Sequence, residues 1–349
     1  MEVTQNIFGE INGKEVLEYS VKNDNGMEVA FINFGCIITK LLVPDAKGTV
    51  ENVVLGFDTI EEYIEHSPYF GAVCGRVAGR IDHGKFQLNG ESFQLPQNDG
   101  ANHLHGGFVG LDSVIWNGKV VEENNEEVQI TFTYESADGE EGYPGNLKMS
   151  VTYVVSNDNE LVISYEGVSD KDTLLNVTNH SYFNLSGDVK RDILHHELTV
   201  KSDKFLELGS NLIPTGTLLD VEGTAFDFRQ GRKIQDGVSS THEQNVLAGR
   251  GYDHPLELNT SNDKEIILKD EETGRVLTVE TTEPCLVLYT SNMMGDNFTI
   301  RGVQARKYLG VCLETQKHPD AIHHAHFPSI VLEKGETYKS ETKFAFTTI

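Results

Sequence analysis

Alternation of apolar and polar residues dominates the chain. Over 147–155, LKMSVTYVV, the residues Leu147, Met149, Val151 and Tyr153 fall on one face. The same two-residue period runs through VQITFTY (128–134), LVISYEGV (161–168), HELTVKS (196–202), RVLTVETT (275–282), CLVLYTS (285–291) and KFAFTT (343–348). Period two with β-branched and aromatic enrichment predicts strands. Turn sequences such as NDNG (23–26), DAKG (45–48), SADGEEG (136–142) and DEETG (270–274) separate them. Helical signals are sparse. DTIEEYIEH (58–66) offers Asp58 or Thr59 as an N-cap, and 233–249 has room for another short turn. There is no βαβ rhythm, no GxGxxG and no phosphate loop. The pattern predicts an all-β chain, 1–349 as one domain, with two packed antiparallel sheets and few short helices.

Composition narrows the partners. The chain has 349 residues and a formal net charge of −26. So acidic a surface repels phosphate backbones and anionic lipid, so neither nucleic acid nor membrane is an expected partner. Cys36, Cys74, Cys285 and Cys312 are scattered, and three lie beside apolar residues, as in GCII, PCLVL and VCLE. They read as buried, reduced thiols. The N-terminal stretch has neither a basic start nor an apolar core, so a cytoplasmic location is expected.

Several stretches depart from ordinary strand or turn sequence. GRVAGRI (75–81) holds two arginines four apart; Arg80 faces solvent or meets a carboxylate or hydroxyl, because burying it unpaired is costly. VTNHSYFNLSG (177–187) sets His180 among Asn179, Ser181 and Asn184, which are able to orient an imidazole or to tie it into structure. Asp253, in GYDHPLEL, is by itself a weak signal, since an Asx-turn or cap commonly uses Asp. In YLGVCLETQ, Glu314 ends an otherwise apolar strand, where desolvation raises a carboxyl pKa toward that of a general base; an ion pair is the alternative. NDGANHLHGG (98–107) carries His103 and His105, and IHHAHFP (322–328) carries His323, His324 and His326. No HExxH or CxxC accompanies them, so no metal is expected. A nucleophile is hard to find: there is no GxSxG elbow, and the thiols sit in apolar settings.

Six motifs in order carry a resemblance over nearly the whole chain: YFGAVCGRVAGRI, NHLHGG, EEGYPGNL, VTNHSYFNLSG, GYDHPLEL, and LETQ with PDAIHHAHFPS. Together they resemble the aldose 1-epimerase (galactose mutarotase) family. The resemblance implies a large antiparallel β-sandwich, the galactose mutarotase-like supersandwich, with an open cleft for a pyranose. It implies interconversion of the α and β anomers of free aldohexoses such as galactose and glucose. By motif position, Glu314 is the general base and His180 the general acid. His105 meets the sugar near its ring oxygen, and Arg80 and Asp253 bind hydroxyls. Glu314 then has to start ionised, and His180 charged or able to donate. Tyr182, Phe183 and Phe327 are candidate lining aromatics, His103 is structural, and the glycines after His105 let the backbone approach a ligand. No cofactor is implied, since no electrons move, and the assembly is a monomer or homodimer. Two positions depart from the family pattern: Gly79 and His323 stand where Asn is usual. Two rivals remain: a non-catalytic sugar-binding module, and a glycoside hydrolase using Glu314 and Asp253 as its carboxylate pair.

Overall fold

The computed structural model describes residues 1–349. Three antiparallel sheets dominate. The N-terminal sheet is a meander of five sequential strands, from Glu2–Ile11 to Val50–Asn52. A nine-stranded sheet is built around Leu147–Ser156, Glu160–Ser169 and the C-terminal strand Thr337–Thr348. A six-stranded sheet runs in the order Tyr182–Phe183, Val311–Gln316, Cys285–Tyr289, Asp253–Glu257, Lys204–Leu208, Pro214–Asp220. The predicted strands fall where the alternation put them, and Leu147, Met149, Val151 and Tyr153 are all buried.

One cluster of 51 buried residues draws on all three sheets, including Phe31, Val151, Phe205, Leu288 and Leu313. That shared core makes the fold a β-sandwich rather than a closed barrel, with each inner face reading one parity of its strands. The helices are short: Ile60–His66, Gln235–Ser239 and Glu243–Leu247. Thr59 caps the first by accepting from the Glu62 N–H, and its hydroxyl donates back to the Glu62 carboxylate at 2.9 Å. No helix is long and apolar enough to cross a membrane.

The strand Val311–Gln316 explains where the site lies. Leu313 points into the common core, and Thr315 on the same side meets Thr342 at 2.6 Å. Cys312, Glu314 and Gln316 therefore emerge on the opposite face. The strand runs two residues beyond Glu314, so the carboxylate sits within a buried strand and not at its end.

Candidate active site

That opposite face floors an open cavity of about 1080 Å³. Arg80, His105, His180, Asp253 and Glu314 all line it, although 234 positions separate the first from the last in sequence. Glu314 pairs across the sheet with Val287, and Asp253 with Tyr289, so both carboxylates stand on one pleated surface. The sheet thus supplies the carboxylates, while loops and short bridges supply the histidines and the arginine.

Arg80 begins a two-residue strand paired with His103–Leu104. Its Nε donates to Asp99 at 2.7 Å, and one terminal nitrogen lies 3.7 Å from Asp253. Burial opposes its charge, but Asp253 and Asp99 more than offset this and hold the guanidinium above its ordinary pKa. The other arginine of the motif, Arg76, has a different task. It is buried and donates to Ser136, Ala137, Pro144 and Thr173, tying loops together. Motif position singled out Arg80 for the cleft; the packing gives Arg76 its structural task.

His105 does not continue the strand of His103. It adopts φ 51°, so the two side chains part company. His103 is buried between the Pro96 carbonyl and the Tyr143 hydroxyl, at 2.7 Å from each, which makes it structural. His105 Nδ1 accepts from the Gly79 N–H at 3.2 Å, while the His105 N–H donates to the Gly79 carbonyl at 3.0 Å. This backbone donor leaves Nε2 as the protonated nitrogen of the neutral ring. Burial, with the neighbouring His180 and Arg80, pushes the imidazole well below its ordinary range. His105 is thus a neutral donor. The glycines that follow serve the chain and not a ligand: a Cβ on Gly106 would stand 1.8 Å from the Gly75 carbonyl oxygen.

His180 is fixed by its backbone, which donates to Ala72 at 2.8 Å and accepts from Gly71 at 3.1 Å. Asn179 locks the same turn, donating to Gly71 and accepting from the Ser181 hydroxyl. His180 Nε2 lies 3.4 Å from Glu314 Oε1. Burial pushes the Glu314 carboxyl well above its ordinary range; Asp253 adds to this and Arg80 opposes it. Burial also drives His180 down to about 4. Both shifts favour the neutral forms of the two groups over the ion pair. Both directions run against the expectation of an ionised Glu314 facing a His180 that is charged or able to donate, and the cause is desolvation of both groups. The neutral pair and the carboxylate–imidazolium pair nevertheless contain the same number of protons.

Of the expected aromatics, only Tyr182 lines the cavity. Phe183 faces the common core, and Phe327 stacks on His318 in a separate cluster, with ring centroids 4.5 Å apart. Tyr69, Tyr289 and Phe298 join Tyr182 in the wall. The loop residues Tyr69, Asp99 and Phe298 carry no periodic signal in sequence. Tyr289 and Gln316 lie on strands and share parity with Asp253 and Glu314, a signal that could have found them. His323 bonds to Asp320 at 2.7 Å, while His324 and His326 reach the Pro214 and Gly216 carbonyls. The one compact set of potential metal ligands is His105, His180 and Glu314, whose ligand atoms lie within 4.8 Å of one another.

Comparison with known proteins bears on what this arrangement is. The family model for aldose 1-epimerase matches residues 18–345. Galactose mutarotase from Rattus norvegicus is 41% identical over 354 residues, covering 99% of each chain. Aldose 1-epimerase from Haemophilus influenzae is 35% identical, covering 98% of this chain and 99% of its own. The crystal structure of galactose 1-epimerase from Lactobacillus acidophilus superposes with a TM-score of 0.89 at 32% identity, covering 99% of each chain. Sandwich and cleft together are those of a β-sandwich isomerase. The chain belongs to the aldose 1-epimerase family.

Proposed function

We propose that this enzyme interconverts the α and β anomers of free aldohexoses, galactose and glucose among them, by acid–base ring opening and closure. Glu314 is the base and His180 the acid. The observation that carries this assignment is the 3.4 Å approach of His180 Nε2 to Glu314 Oε1 at the floor of a cleft whose wall holds Arg80, His105 and Asp253. In the active tautomer, Glu314 takes the C1 hydroxyl proton. The C1–ring oxygen bond breaks as the C1 carbonyl forms, and the ring oxygen takes the Nε2 proton. Rotation about C1–C2 presents the other carbonyl face, and closure returns both protons.

Opening converts a carboxylate and an imidazolium into their neutral forms. Burial favours that neutral product state of the protein. The pocket therefore offsets part of the cost of opening a stable ring. The cost falls instead on forming the ion pair, and sugar hydroxyls and Arg80 are the groups able to stabilise the carboxylate as substrate enters. His105, a neutral Nε2–H donor, suits the ring oxygen region. Asp253, held by Arg80, suits hydroxyl acceptance.

Each positioned acid or base contributes on the order of 10²–10⁴-fold. Glu314→Gln and His180→Asn should each lose rate in that range in polarimetric mutarotation of α-galactose, with circular dichroism unchanged. A folded variant retaining near-normal rates removes that residue from its role. Release of nitrophenol from aryl galactosides, without anomer exchange, would instead favour hydrolysis by the Glu314 and Asp253 carboxylates.

A further inference from the structure

The same strand that carries Glu314 places a second group on His180. Cys312 is two residues earlier, shares the face of Glu314, and puts its sulfur 3.5 Å from His180 Nδ1. Glu314 meets the other ring nitrogen at 3.4 Å. One strand thus clamps the imidazole from both nitrogens. Cys312 is fully buried and unpaired with any other cysteine, and it stands opposite Tyr182 in the sheet.

We propose that Cys312 is a positioning residue for His180: its sulfur accepts a hydrogen bond from Nδ1–H and so reserves Nε2 for proton exchange with Glu314 and the sugar. This rests on the reading of His180 as the acid. The alternative has the thiol donating to Nδ1, which leaves the proton on Nε2 of a neutral ring. Giving that proton to the ring oxygen would then leave an imidazolate, unless the thiol surrendered its own proton. Burial disfavours that thiolate, and Glu314 and Cys74 add to the effect. Only the Nδ1–H form lets Nε2 cycle between protonated and free without generating a buried anion.

Sulfur also suits the role by its weakness. It is a poor acceptor and carries no charge, so it orients the ring without stabilising the imidazolium. A carboxylate there would hold the proton on His180 and blunt it as an acid. The other groups around the ring leave this logic intact. They are Glu314 and Cys312 from one strand, His105 and Tyr69 from loops, and Tyr182 and Tyr289 from neighbouring strands; only Glu314 can supply a negative charge near neutral pH.

Nitrogen-15 NMR on the sugar-free enzyme tests the assignment without relying on turnover. The wild type should show His180 as a single tautomer, protonated at Nδ1. In Cys312→Ala, and in Cys312→Val, which keeps the buried volume, the Nε2–H form should become detectable. kcat should fall roughly tenfold, the low end for losing a group that orients a functional imidazole, with KM within about twofold. A wild-type ring protonated at Nε2, or unchanged tautomer and kcat in both folded variants, overturns the proposal. Full activity in His180→Asn would instead overturn the acid assignment and leave the tautomer result standing.

Discussion

Two of the buried carboxylate–base pairs of the molecule are treated in opposite ways. Glu51 meets Arg275 at 3.0 Å and also Lys190, while Arg275 donates further to the Val43, Thr49 and Leu185 carbonyls. Burial works against the Glu51 charge, but the bonds to Lys190 and Arg275 outweigh it and hold the carboxyl below its ordinary range. At Glu314 the Arg80 charge opposes burial without outweighing it, and Glu314 and His180 are both pushed toward neutrality. A guanidinium cannot give up its proton at any working pH; an imidazole can. Charge is favoured in the structural pair and disfavoured in the cleft pair. Desolvation is common to both, and the difference lies in how many donors answer it.

Breaking each pair should give different symptoms. The largest expected effect is on turnover: Glu314→Gln should slow anomer exchange on the order of 10³-fold, within the range of a lost acid or base, while unfolding curves show an intact fold. Next, Arg275→Met should leave Glu51 buried with Lys190 as its sole ionic partner. The expected cost is about 3–5 kcal/mol of stability by urea denaturation, with kcat per folded molecule unchanged. A slow but stable Arg275→Met enzyme would erase the contrast.

Two smaller effects sharpen it. The single-proton state of the cleft pair is bounded below by protonation of His180 and above by ionisation of Glu314. kcat/KM should therefore be bell-shaped, with its acid limb near pH 4 rather than near the 6.5 of a free imidazole. The acid limb of kcat/KM, followed in cells where the uncatalysed rate is subtracted, checks this. The smallest effect is on stability. A raised folded pKa means Glu314 holds a proton that its unfolded form releases at lower pH. Its presence therefore costs stability progressively as pH rises above the unfolded value, and an amide carries no such cost. The melting temperature of Glu314→Gln relative to wild type should rise from pH 6 to pH 9. A gap independent of pH would mean that Glu314 is ionised at rest.

Much of this was legible in sequence, and what was not has identifiable causes. The apolar run ahead of Glu314 marked a buried strand with an out-of-place carboxylate, and strand parity shows which way Glu314 faces. Applied to Tyr182 and Phe183, parity would also have separated the cleft aromatic from the core one. Fold and family were readable because strands obey a period and motifs keep their order. Tyr69, Asp99 and the structural task of Arg76 were not, because they depend on loop geometry. The resting charge of the pair escaped too. Motif position suggests what Glu314 and His180 do, but their protonation depends on how completely the surrounding sheets and Tyr182 exclude water.

The most direct test is an NMR titration of the sugar-free enzyme, reading the His180 ring nitrogens and the Glu314 carboxyl carbon together. A neutral imidazole beside a protonated carboxyl at pH 7, with His180 charging only near pH 4, is the predicted result. An imidazolium facing a carboxylate at pH 7 would contradict it.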